Sequence, residues 1–288
     1  MTTRTALAPA KVNLFLHVGP VDADGYHPLS SLVAFADVGD RVTVAPAERL
    51  SLSVEGPFAA GLAGPGDNLI LRALRALGDA AGIGEPPLAV TLEKRLPIAA
   101  GLGGGSSDAG AALKLARDAL GLDQTDDALA DIAATIGADG PMCLHARTAW
   151  AEGRGERLTP EPRLPSLPAV LINPRVASPT GEVYRAYDAG PPAAADRPAP
   201  PPAWDVAAVL DWLAQQRNDL EPAAVARAPA IAAVLAAAEA LPDVRLVRMS
   251  GSGATVFALF DAPANAAVAA RRLSESRADW WIAPTRLG

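Results

Sequence analysis

The chain has 288 residues, half of them hydrophobic and a fifth charged, enough for one large α/β core or for two lobes, and two lobes are expected. A net charge of −7 gives no electrostatic footprint for nucleic acid, and no apolar run approaches the ~18 residues that mark a membrane span. The single cysteine, Cys143, excludes an internal disulfide and a cysteine-based metal site, and the polar opening Met1-Thr2-Thr3-Arg4-Thr5 lacks a signal peptide's apolar segment, so a soluble cytoplasmic protein is expected.

Residues 7–18 read as a strand that places Lys11 and Asn13 on one face and Val12, Leu14, Leu16 and Val18 on the other. Lys11 stands out because only three of the 25 basic residues are lysines (Lys11, Lys94, Lys114), so arginine is the chain's default cation. A compact ammonium on a flexible stem does work that a planar guanidinium cannot. The turn Asp22-Ala23-Asp24-Gly25 leads to Tyr26-His27-Pro28. Strand-like runs at 31–38, 41–44 and 50–54 suggest an antiparallel meander. Asp67-Asn68 reads as the cap of a helix reaching about residue 80, and residues 88–93 return as a strand.

Next comes Pro97-Ile98-Ala99-Ala100-Gly101-Leu102-Gly103-Gly104-Gly105-Ser106-Ser107-Asp108, between that strand and an Ala-rich helical run. Glycine removes Cβ where the backbone turns sharply or meets a ligand, and Ser106 and Ser107 read as caps of the helix that follows. Unpaired amides and the positive dipole end then form an anion cradle suited to a nucleotide triphosphate. The common nucleotide fingerprints are missing: no lysine follows the last glycine, and Ser106 stands where a dinucleotide motif wants its third glycine. A glycine run can also be a plain tight connection, but a turn alone does not require a second hydroxyl.

Residues 123–136 read as a helix ended by Gly137-Ala138-Asp139-Gly140-Pro141, followed by short strands at 142–144 and 148–152. The proline-rich stretch 160–168 suggests a boundary, giving an N-terminal domain over 1–162 and a C-terminal one over 163–288. The Pro/Ala tract 189–203 reads as an irregular, mobile insertion, with helices dominating from there to about residue 241. A strand at 245–249 runs into the turn Ser250-Gly251-Ser252-Gly253-Ala254-Thr255 and a strand at 256–260. That turn is either a plain hairpin or a backbone approach to a ligand.

Together, Pro9-Ala10-Lys11-Val12-Asn13-Leu14, the loop 97–107 and Ser250-Gly251-Ser252-Gly253 resemble the three signature motifs of the GHMP kinases, along nearly the whole chain. The resemblance implies an α+β, two-lobed fold with the active site in the cleft between lobes, and ATP-dependent phosphorylation of a small metabolite with Mg2+. It implies Lys11 and Asp139 as catalytic residues, Asp139 as the base. ATP would be held by Asn68, Lys94, Pro97, Ala99, Ala100, Gly101, Leu102, Gly103, Gly104, Gly105, Ser106 and Ser107. Within the superfamily, Asp24-Gly25-Tyr26-His27, the triple glycine and Gly137-Ala138-Asp139 are similar to the branch acting on a cytidine diphosphate-linked methylerythritol. That implies Asn13, Tyr26, His27, Asp139, Tyr184, Gly251, Ser252 and Gly253 at the acceptor, with Tyr26 and Tyr184 sandwiching the base and His27 bonding its edge. Ser106, Ser107 and Asp108 are candidate metal ligands, and the metal site itself is left open. Gly140 departs from the bulkier apolar residue common after the base, which questions rigidity there. Homoserine- and mevalonate-type kinases, or a non-catalytic sensor of the same fold, remain as alternatives. The sequence points to a small-molecule partner, with no nucleic acid and no membrane, and leaves the oligomeric state open.

Overall fold

The structure, a computed structural model, describes residues 2–62, 68–191 and 193–288. The chain opens with strands β1 (Arg4–Asn13), β2 (His17–Val18), β3 (Leu29–Pro46) and β4 (Ser51–Glu55), then helix α1 (Leu69–Ala80) and strand β5 (Leu88–Glu93). Helices α2 (Gly104–Leu120), α3 (Asp126–Ile136) and α4 (Gly140–His145) follow, then β6 (Ala149–Gly153), β7 (Arg157–Pro160) and β8 (Leu167–Asn173). Next are α5 (Thr180–Tyr187), α6 (Val206–Ala214), α7 (Glu221–Arg227) and α8 (Ala230–Glu239). Strands β9 (Val244–Met249) and β10 (Val256–Phe260), helix α9 (Pro263–Ser276) and strand β11 (Trp281–Leu287) complete an α+β fold. No helix among the described residues is long and apolar enough to cross a membrane.

The chain divides into two compact units, each drawn from separated segments. The first comprises Met1–Lys11, Val38–Ile98 and Gly103–Ala146, and the second Val12–Asp37, Ala99–Leu102 and Arg147–Gly288. In the first unit β5 pairs antiparallel with the later half of β3, from Arg41↔Glu93 to Pro46↔Leu88. β4 runs parallel to β5, from Ser51↔Ala89 to Glu55↔Glu93. The expected meander is therefore corrected: residues 31–38 and 41–44 belong to one continuous strand, and β5, reached through α1 as expected, lies between β3 and β4. Strand alternation buries Leu88, Val90 and Leu92 in one core with Ile70, Leu74 and Leu77 of α1 and Ala112, Leu113 and Ala116 of α2. Each large apolar side chain buried there contributes about 1.5–3 kcal/mol. Asn68 starts α1 by accepting the Ile70 N–H at 2.9 Å, while Asp67, read with it as a cap, lies outside the described residues.

Residues 142–144, expected as a strand, lie inside α4. A three-residue apolar run does not distinguish strand from helix, whereas Pro141 in the first turn, where its missing N–H costs nothing, favours the helix.

In the second unit β8 lies between β11 and β10, both antiparallel to it, and β9 pairs with the far edge of β10. β6 pairs with the early half of β3. Among its described residues the Pro/Ala tract has no regular structure, as expected, and it is tied to the fold at several points. The carbonyls of Ala194 and Ala199 accept bonds at 2.8 Å from Arg217 and from the Trp212 indole. The Asp196 carbonyl lies 3.2 Å from His17 Nδ1, and the Arg197 guanidinium sits 4.2 Å from the centre of the Trp150 ring. Prolines supply no N–H and hold φ fixed, so the tract docks through its carbonyls with little chain entropy left to lose.

Candidate active site

Helix α2 begins at Gly104, and its N-cap is Gly103, with φ 61° and no side chain to bond the first turn. Ser106 and Ser107 are therefore not caps as expected: they stand third and fourth inside the helix, because the left-handed glycine ends the loop before them. The first helical bond runs from Ser107 N to Gly103 O at 2.9 Å. The N–H groups of Gly104, Gly105 and Ser106 thus have no acceptor within the helix, at its positive end. Of the loop residues, Ala99 and Gly105 are exposed, whereas Pro97, Ala100 and Leu102 are buried.

Asp139 stands at the N-cap of α4 but makes no capping bond. Its Oδ1 accepts the Ser106 hydroxyl at 2.6 Å, so the carboxylate is joined to the first turn of α2. Lys11 completes this corner: a Cβ on Gly103 would lie 3.2 Å from the Cβ and Cε of Lys11 and 3.2 Å from the Cys143 sulfur. The absent side chain leaves room for the lysine stem to lie along the cradle. Cys143 registers both partners, since burial drives its thiol up to about 12, with Asp139 adding to the rise and Lys11 opposing it. Gly140 answers the question of rigidity. A Cβ there would fall 2.1 Å from the Ala133 carbonyl oxygen, so the small residue is what lets α4 close on α3 and fix the aspartate.

Behind the cradle, Lys94 is only 3% exposed, and a Cβ on Gly104 would lie 3.1 Å from its Nζ. Its ammonium donates to Asp40 Oδ2 and, at 2.9 Å, to Asp108 Oδ2. Asp40 Oδ1 in turn accepts the N–H groups of Arg95 and Leu96 at 2.6 and 2.8 Å, which fixes the exit of β5 towards the loop. The ammonium read as a nucleotide contact and the carboxylate read as a metal candidate are here engaged with each other. Asp40 was missed by sequence reasoning. Burial works against the charge on Lys94, but the two carboxylates outweigh it and its pKa goes up. Burial pushes Asp108 up to about 7, against the pull of Lys94, and Asp40 adds to the rise. An acid raised above its unfolded value favours the folded state at low pH, and that contribution is lost as pH rises through about 7. Asp108→Asn should therefore gain in melting temperature relative to the parent between pH 5 and pH 8. Parallel curves of melting temperature against pH would remove this account of the triad.

Asn13 and the glycine turn meet in the second unit. Asn13 Nδ2 donates to Ser31 Oγ at 2.8 Å, and Asn13 N donates to Ser250 Oγ at 3.1 Å, which itself donates to Gly101 O at 3.0 Å. The turn joins the antiparallel strands β9 and β10, so it is a hairpin connection, and one tightly bound by side chains. Asn218 Nδ2 donates to Gly251 O at 2.8 Å, Ser178 Oγ donates to Ser252 O at 2.6 Å, and Thr180 Oγ1 meets Ser252 Oγ at 2.9 Å. Gly253 N closes the reversal on Ser250 O at 3.0 Å.

Tyr26 is 54% exposed, on a turn held by Asp22. His27 packs on Tyr184, with ring centres 5.0 Å apart at 35°. His27 Nδ1 donates to Gly19 O at 2.8 Å and Nε2 lies 3.2 Å from Asp188 Oδ1. Both ring nitrogens are thus engaged inside the protein, and His27 acts here as the seat of Tyr184. A bond from His27 to a base edge would replace one of these contacts. Burial raises the Tyr184 hydroxyl to about 12, so it stays neutral at physiological pH. Sequence reasoning missed Asp188 and also Tyr187, whose hydroxyl donates to Val18 O at 2.5 Å behind the same ring cluster.

Residues 68–147, which carry the cradle and Asp139, match the family model described as the GHMP kinases N terminal domain, and residues 205–279 match GHMP kinases C terminal. The chain belongs to the GHMP kinases. It is a small-molecule, ATP-dependent kinase. It is 55% identical to the 4-diphosphocytidyl-2-C-methyl-D-erythritol kinase of Caulobacter vibrioides strain NA1000 over 98% of this chain and 99% of that one. A protein of the same name from Caulobacter sp. strain K31 is 52% identical, with 98% of each chain covered. Among solved structures, a 4-(cytidine 5'-diphospho)-2C-methyl-D-erythritol kinase aligns with TM-score 0.78 and 38% identity over 99% of both chains. The kinase therefore shares with these relatives not one domain but the whole length of the fold.

Proposed function

We propose that this kinase moves the γ-phosphoryl group of ATP to the 2-hydroxyl of 4-diphosphocytidyl-2-C-methyl-D-erythritol, in the non-mevalonate route to isoprenoid precursors and in the cytoplasm. The observation that carries the reading is the full-length identity of 45–55% to kinases of that name. Phosphoryl transfer to an alcohol is mostly positioning and charge stabilisation. In this reading the amides of Gly104, Gly105 and Ser106 take phosphate oxygens, and Asn68, Lys94 and the rest of the loop from Pro97 to Ser107 hold or shape the nucleotide site. Asp139, oriented by the Ser106 hydroxyl, takes the proton of the acceptor's hydroxyl, and Lys11 offsets charge on the transferred group. Asn13 and the turn Gly251-Ser252-Gly253 face the acceptor, while Tyr26 and Tyr184, the latter seated on His27, offer ring faces to its pyrimidine.

Magnesium enters this scheme as part of MgATP, where it neutralises phosphate charge. The described residues hold no group of three or more His, Cys, Asp or Glu suited to a resident metal ion, and Asp108 is taken by Lys94. No protein ligand is assigned to it. The test is ADP release with a panel of acceptors: the cytidine diphosphate-linked methylerythritol, methylerythritol itself, homoserine and mevalonate. The first should turn over with the highest kcat/KM. Equal use of methylerythritol without its cytidine end, or preference for homoserine or mevalonate, would overturn the reading.

A further inference from the structure

β6 pairs with β3 in a register that sets Gly153 opposite Leu29, two residues after His27. The next residue, Arg154, thereby reaches the loop that carries Tyr26, and its guanidinium carbon lies 4.0 Å from the centre of the Tyr26 ring. At this distance a guanidinium is held by the ring's negative face. The loop is built to receive it. Asp22 Oδ1 accepts the N–H groups of Asp24 and Tyr26, each at 3.0 Å, and Asp22 N closes the turn on Tyr26 O at 2.7 Å. The outer oxygens then face the arginine, with Asp24 Oδ2 at 2.9 Å and Asp22 Oδ2 at 3.7 Å. Its own N–H donates to Glu156 Oε2 at 2.5 Å, which fixes the backbone from which the side chain springs.

We propose that Arg154 is a positioning residue for the acceptor: it holds the Tyr26 ring by one face, so that the acceptor's pyrimidine stacks on the other. The proposal rests on the reading that Tyr26 takes a base. Two carboxylates already face the guanidinium, so it serves as a planar plate behind the ring and not as a ligand for the acceptor's diphosphate. A tyrosine this exposed loses rotamer freedom when it stacks on a ligand, and an arginine already fixing the ring removes part of that cost beforehand. A lysine would keep the ion pairs but lose the flat face.

Arg154→Ala should raise KM for the cytidine diphosphate-linked acceptor about two- to fivefold, the range of an exposed cation–π contact, with kcat and KM for ATP unchanged. Arg154→Lys should give a smaller rise. Because Arg154 acts through Tyr26, adding Arg154→Ala to Tyr26→Ala should change nothing further. The effect should also shrink at high salt, where the Asp22 and Asp24 contacts that aim the arginine are screened. An unchanged or lowered acceptor KM in Arg154→Ala, or an equal rise in the Tyr26→Ala background, would overturn the proposal. If Tyr26→Ala raises the acceptor KM and Arg154→Ala does not, only this inference fails. If Tyr26→Ala itself leaves that KM unchanged, the base-stacking reading fails with it.

Discussion

Asp139→Asn should lower kcat by roughly 10²–10⁴-fold, the usual contribution of a general base, while ATP still binds. The asparagine keeps the size of the side chain, and its carbonyl oxygen can still accept the Ser106 hydroxyl that the carboxylate accepts at 2.6 Å. Helix α4 does not depend on the charge either, because Asp139 makes no side-chain capping bond. Neither the corner nor the cradle should therefore move, and the loss should fall on proton transfer alone. Single-turnover ADP formation beside calorimetric titration of ATP separates the two quantities. Near-parental turnover would reduce Asp139 to a turn residue ahead of Gly140 and Pro141, whereas loss of ATP binding would show that the carboxylate supports the cradle.

What sequence reasoning reached, it reached where cause lies close along the chain. The alternation Leu88, Val90, Leu92 is buried as a strand face, Asn68 caps the helix that follows it, and the glycine run does end in a helix whose first amides have no acceptor within it. The parts that escaped are set by contacts between distant residues. Asp40 meets Lys94 across 54 positions, and Arg154 meets Asp24 across 130, with no local pattern to announce either pair. The parallel course of β4 beside β5 depends on the helix between them returning the chain in the same direction, which a run of alternating residues does not encode. Proline content correctly marked the described residues of the tract at 189–203 as irregular, and what the sequence did not show is that the segment docks by its carbonyls on Arg217 and Trp212. Ser107 is instructive in the same way. A hydroxyl near a helix start suggests a cap, yet a glycine able to take φ 61° had already ended the loop four residues earlier.

Lys11→Met should cost roughly 10²–10³-fold in kcat, on the order of removing one preorganised donor from a developing charge, with ATP affinity reduced much less. The side chain lies against Gly103, where a Cβ would come within 3.2 Å of the lysine's own Cβ and Cε, so its stem is confined to a narrow lane beside the cradle. Methionine has similar length and flexibility and should occupy that lane without its charge, which makes it the informative replacement. Lys11→Arg should not restore the rate. A planar guanidinium is wider than an ammonium, and beside Gly103 and Cys143 it would have to displace the loop or turn away from the Asp139 corner. Full recovery of kcat in Lys11→Arg would contradict the requirement for a compact charge, and a parental rate in Lys11→Met would remove Lys11 from the chemistry altogether.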